Sequence, residues 1–220
     1  MRFRLLAYAT ALVAFALAAP PAHADFHLMQ IEQVIGGVGG DTSAQAIQLR
    51  LRANFQGRVS KARLVARDAA GKNAVVLIDF TSDVIGDAEG ARILIASAGF
   101  AAHTSPEAVP DFTLVNLIPP SYLAAGSLTF EADSRLVFWR VSWGGSAYTG
   151  STRGLPVNDP NAQFGPPFAG PLPSADSRAL VFQGEASDTS TSNANDYALT
   201  TGAAVFANNS GSTFAVIATP

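Results

Sequence analysis

The chain has 220 residues, no cysteine, and 14 Lys+Arg against 17 Asp+Glu, a net charge of −3. Absence of cysteine removes thiol nucleophiles, CxxC redox pairs, iron–sulfur clusters and thiolate zinc sites together. The acidic balance argues against a nucleic-acid binder, which needs a basic face to displace counterions from phosphate.

The chain opens with the basic Met1-Arg2-Phe3-Arg4, an uncharged apolar run from Leu5 to Ala19, and Ala22-His23-Ala24, which fits the small-x-small rule of signal-peptidase cleavage. Residues 1–24 are therefore expected to be a signal peptide, with Asp25 the first mature residue. The run is about fifteen residues long, short of the roughly twenty that span a bilayer, and no membrane span is expected. A secreted or periplasmic location in a bacterium follows. Removal of Arg2 and Arg4 leaves 12 Lys+Arg against 17 Asp+Glu, net −5. A mature chain of this size buries enough apolar surface to fold without disulfides.

Beyond the signal, apolar and polar residues alternate in short stretches separated by Gly, Pro, Asn and Asp, the pattern of an all-β domain. Strands are predicted at Phe26–Ile35, Ile47–Arg52, Arg63–Asp68, Ala74–Phe80, Ala91–Ser97, Phe112–Leu117, Ser127–Glu131, Arg135–Trp143, Arg178–Phe182 and Thr213–Ala218. Ile47, Leu49 and Leu51 form a dry face, and Gln48, Arg50 and Arg52 a wet one. The loose set Arg50, Arg52, Arg58, Lys61, Arg63 and Arg67 reads as a solvated strand face. Gly36–Gly40 reads as a hairpin turn, because it lacks the Lys-Ser/Thr of a phosphate loop and a following helix. Asp68 to Asn73 is a second hairpin, and Pro119-Pro120 interrupts pairing because neither residue has an N–H. Residues 144–173 are rich in Gly and Pro and are predicted to be a long irregular loop that folds back over a sheet edge. Eight to ten short strands fit one β-sandwich domain over residues 25–220.

Several segments resemble the lamin-tail domain, an immunoglobulin-like β-sandwich family. They are Leu28–Val34, Ala46–Arg50, Val59–Asp68 with its hairpin to Asn73, Ala91–Ala96, Ala179–Phe182, and Asp188–Asp196 before Tyr197. The resemblance implies an immunoglobulin-like fold and a non-catalytic interaction or attachment role, and points to the exported bacterial members.

Chemistry is thinly represented. The mature chain keeps His27 and His103 and no Gly-x-Ser-x-Gly elbow, so a Ser–His–acid site is not expected. Carboxylates such as Glu32, Asp79, Asp83, Asp87, Glu89, Glu107, Glu131 and Glu185 are numerous, but no pair stands out as the two acids of a glycoside hydrolase. No cofactor is expected. Ca²⁺ is the one ion for which the sequence offers oxygen donors, at Asp79, Asp83, Asp87 and Glu89 and at Asn158-Asp159-Pro160-Asn161, without the Asp-x-Asp-x-Asp-Gly order of a dedicated loop. Trp139 and Trp143 alternate with Val137 and Val141 on one strand face and are expected in the core. Tyr148, Phe164 and Phe168 in the long loop are the candidate partner surface, for a protein or a cell-envelope glycan. A carbohydrate-binding module is the alternative, and a carboxylate-dependent hydrolase the third reading.

Overall fold

In the computed structural model the described residues are 26–217. The expected signal peptide and its cleavage after Ala24 lie outside them.

Thirteen strands are present among these residues: β1 (Met29–Ile35), β2 (Ala46–Leu51), β3 (Ala62–Arg67), β4 (Val75–Asp79), β5 (Arg92–Ala96), β6 (Thr104–Ser105), β7 (Phe112–Thr113), β8 (Gly126–Ala132), β9 (Val137–Trp143), β10 (Leu180–Phe182), β11 (Tyr197–Leu199), β12 (Val205–Ala207) and β13 (Thr213–Val216). They form sheets of order β11-β10-β1-β2-β5-β7, β4-β3-β8-β9 and β12-β13-β6. The blocks β1-β2-β5 and β4-β3-β8-β9 reproduce the immunoglobulin connectivity, with the hairpin β1-β2 and then β5 in one sheet and the hairpins β3-β4 and β8-β9 in the other. The fold is thus an immunoglobulin-like all-β sandwich. Three of the shortest strands, β6, β11 and β12, were outside the expectation, because three residues or fewer leave no room for alternation to be seen.

Alternation explains how the layers stack. Ile31 of β1, Ile47, Leu49 and Leu51 of β2, and Ile93 and Ile95 of β5 meet Leu64, Leu128, Phe130, Trp139, Val141 and Trp143 of the facing sheet in one apolar cluster. Both tryptophans are fully buried on one face of β9, as expected. The indole Nε1 of Trp139 donates to Tyr197 Oη at 2.7 Å, and that hydroxyl donates to the carbonyl of Ile31, which ties the two sheets through the core. Burial of this phenol pushes its pKa up, so it stays a donor at all physiological pH.

The opposite face of the six-stranded sheet is not wet. Ile35, Ala46, Leu94 and Ala96 point there and join Phe100, Phe206, Phe214 and Val216 in a second cluster beneath the β12-β13-β6 sheet. Further along the same face Gln48 and Arg50 are buried, contrary to the expected wet side. They are buried because the chain returns over them. Glu32 accepts from Gln48 Nε2 at 2.6 Å, Arg50 Nη1 at 3.0 Å and Arg92 Nε at 2.8 Å. Successive carbonyls of segment 184–188 are then caught by side-chain N–H groups: Gly184 by Arg50, Glu185 and Ala186 by Gln30, Ser187 by Arg52, and Asp188 by both Gln30 and Arg52. The outer face of the other sheet repeats the device. Arg63 and Arg67 clasp the fully buried Glu131 at 2.6 and 3.1 Å, so these arginines also depart from the expected solvated face.

Candidate functional site

The long loop does cover an edge. Phe168 forms a parallel bridge with Trp143, its N–H bonds Ser142 O at 2.9 Å, and Leu155 N–H bonds Val137 O at 3.0 Å. Between those points two asparagines complete the edge of β9. Asn158 Nδ2 donates to Phe138 O at 2.8 Å, and Asn193 both donates to Arg140 O at 3.1 Å and accepts from Ser142 N at 2.9 Å.

The three residues expected to form the partner surface are not brought together at the surface. Phe164 is fully buried against Trp139, with ring centroids 5.4 Å apart. Tyr148 is buried too, its hydroxyl donating to Ser151 O at 2.8 Å. Their apolar area is used to seal the loop onto the sandwich. Phe168 remains half-buried, and it borders a groove of about 490 Å³.

The groove is lined by Leu123, Ala124, Phe168, Pro171 and Leu199 of β11, and Asp176 and Arg178 supply its charged groups. Its walls are fixed by backbone hydrogen bonds: Leu172 N to Leu123 O at 2.9 Å, Gly144 N to Gly170 O at 2.8 Å, Gly36 N to Pro173 O at 2.8 Å and Gly40 N to Ser174 O at 2.9 Å. Leu123 and Leu172 pack directly onto Gly36, where a Cβ would lie 2.6 Å from Leu123 Cδ2 and 2.8 Å from Leu172 Cδ2 and would push these groove leucines aside. The Gly36–Gly40 turn therefore also anchors the groove, a role invisible in a turn signal alone. Asp176 and Arg178 pair at 2.7 Å, and the guanidinium lowers the pKa of the Asp176 carboxyl. Prolines reduce the freedom of the wall, so the cavity is largely pre-formed, as binding sites for apolar segments are.

Other chemistry is dispersed. His103 Nε2 lies 3.2 Å from Asp41 Oδ2, while Ser43 gives its hydroxyl to Asp41 Oδ1 at 2.7 Å, so this serine faces the carboxylate and not the imidazole. His27 packs against Phe138 with ring centroids 6.1 Å apart. Asp83 caps the backbone N–H of Ser60 at 3.0 Å. Glu32 and Glu131, the two buried glutamates, hold arginines. Among the described residues no three or more His, Cys, Asp or Glu side chains gather as a metal-ligating group, and no helix is long and apolar enough to cross a membrane.

No protein-family model matches the chain, and no curated protein matches it in sequence.

Proposed function

We propose that this chain is a non-catalytic interaction module, exported to the bacterial cell envelope or exterior, that holds a protein partner in the groove beside Phe168. The groove itself carries the reading: it is apolar, walled by prolines, fixed by backbone hydrogen bonds and flanked by one ion pair. Such a surface suits an extended apolar segment of a partner, with Asp176 and Arg178 available to a polar group at its end. The lamin-tail resemblance supports the reading, because members of that family serve as attachment modules. The aromatic row that would favour a glycan platform is turned inward at Trp139 and Trp143, which weighs for a protein partner over a carbohydrate.

The test is capture from envelope fractions by the immobilised mature protein, compared with an Ala124→Trp variant. Ala124 is exposed on the groove wall, so the larger ring fills the groove without entering the core. Loss of the captured partner by tenfold or more, on the order of 1.4 kcal/mol, is expected. Undiminished capture by the variant would refute the groove as the docking surface.

A further inference from the structure

Asp159 is fully buried, and one oxygen of its carboxylate makes no hydrogen bond of good geometry. Its Oδ1 accepts the backbone N–H of Asn161 at 2.9 Å, while Oδ2 is buried with no hydrogen-bond partner. Buried polar atoms are almost always paired, so each exception calls for a physical cause.

A second unanswered oxygen lies on the segment packed against it. Ser190 N–H bonds Asn158 O at 3.1 Å and Asn193 N–H bonds Phe164 O at 2.9 Å, so residues 190–193 are laid along residues 158–164. Ser192 sits between those two hydrogen bonds; it is buried, and its Oγ also has no partner. Asp196 completes the group. Its Oδ2 accepts from Thr191 N at 2.8 Å, Ser192 N at 3.0 Å and Ser190 Oγ at 3.0 Å. Burial raises the Asp159 carboxyl above the usual carboxylate range and repulsion from Asp196 adds to it, against the N–H groups of Asn161 and Gln163. The nearby cation Arg52 is already committed to Asp188 O, Val157 O, Asn158 Oδ1 and Ser187 O. Two mutually repelling carboxylates and two orphaned oxygens therefore lie on the two segments that these backbone hydrogen bonds hold together.

We propose that Asp159 Oδ2, Ser192 Oγ and the Asp196 carboxylate ligate a hard divalent cation of the Ca²⁺ class, which fastens the long loop to the turn before β11. All three groups offer oxygen, the donor Ca²⁺ prefers, and no thiolate or imidazole is among them to favour a transition metal. Ca²⁺ completes six to eight positions flexibly and accepts water in the remainder, whereas Mg²⁺ demands a near-ideal octahedron. A polar pocket of about 320 Å³, lined by Asp188, Thr189, Asn195 and Asp196, borders the Asp196 end of the group. With two carboxylates the site belongs to the weak class, with Kd on the order of 10⁻⁴–10⁻³ M. This inference is independent of the groove reading.

The experiment is thermal unfolding of the purified protein after EDTA treatment, with and without Ca²⁺. About 10 mM CaCl₂ should raise Tm by roughly 3–10 °C, from saturation at these affinities and the usual shift for a chain of this size, and MgCl₂ should raise it less. Asp159→Asn is isosteric and removes the repulsion with Asp196, so in EDTA it should melt no lower than the parent and should ignore Ca²⁺. Ser192→Ala should fold normally and need roughly tenfold more Ca²⁺ for the same shift, and it carries the comparison if Asp159→Asn fails to fold. A parent whose Tm does not respond to Ca²⁺, with the cavity then holding water or a proton, would overturn the proposal. So would a full Ca²⁺ response in Asp159→Asn, or in Ser192→Ala.

Discussion

At the scale of single residues, Asn158 and Asn193 stand in for a strand at the edge of β9. A carboxamide carries a donor and an acceptor at about the separation of a peptide unit, so Asn193 can answer Arg140 O and Ser142 N as a neighbouring strand would. It is fully buried. Asn193→Ala would leave a backbone N–H and a backbone carbonyl unpaired inside the protein, each costing about 1–3 kcal/mol. The expected loss is therefore about 2–5 kcal/mol in urea unfolding, with the slope of the transition unchanged. A loss below about 0.5 kcal/mol, the level of an ordinary surface substitution, would mean that another group closes this edge. The arginines teach the complementary lesson. Arg50, Arg63 and Arg67 read from sequence as solvated because nothing local distinguishes them, yet each bonds Glu32 or Glu131 and is largely covered. Their partners come from other strands, 18 positions away for Arg50 and Glu32 and 64 or more for the pairs with Glu131.

At the scale of elements, residues 144–173 act as the missing edge strand without being one. Phe168, Leu155 and Asn158 of this loop satisfy β9 at separate points, with Asn193 of a later segment filling the gap, and Gly and Pro along the loop prevent a continuous ladder. An irregular cover of this kind blocks strand-to-strand pairing by other molecules, because an incoming strand finds its hydrogen-bonding groups occupied. Replacing residues 145–168 with a short Gly/Ser link should expose that edge along with apolar surface vacated by Phe164. The variant should keep most of its far-ultraviolet strand signal in the cold and self-associate with rising concentration in sedimentation velocity. If it sediments as a monomer at every concentration where the parent does, the loop has no protective role. The loop's place over an edge was legible in the sequence, because a run of Gly and Pro next to an apolar strand has few other uses. So were the positions of Trp139 and Trp143, whose spacing of two matches the pleat. The fates of Tyr148 and Phe164 were not legible. Burial of a loop ring depends on where the loop lands, and alternation gives no information once regular structure stops. Segment 184–188 was equally opaque, since its role lies in its carbonyls and any sequence supplies those.

At the scale of the whole molecule, the six-stranded sheet is shared between two apolar clusters, one on each face. Ile47, Leu49, Ile93 and Ile95 serve one cluster, and Ala46, Leu94 and Ala96 serve the other from the same two strands, β2 and β5. With no disulfide available, the stability of the fold rests on these clusters and on the buried ion pairs beside them. Because β2 and β5 belong to both clusters, neither can melt while the other keeps its strands in place, and unfolding should be a single cooperative transition. The two tryptophans of the chain make this testable, since both sit in the first cluster and none in the second. Phe206 is fully buried in the second cluster, edge-on to Phe100 with centroids 5.3 Å apart. Phe206→Ala should cost about 3–5 kcal/mol, as other large-to-small core changes do. It should lower Tm by roughly 6–20 °C for a domain of this length. If the clusters form one unit, tryptophan fluorescence must report that full shift, although neither ring touches the substituted site. A fluorescence transition that stays at the parental midpoint while far-ultraviolet dichroism shows an earlier loss of structure would mean that the β12-β13-β6 layer melts on its own.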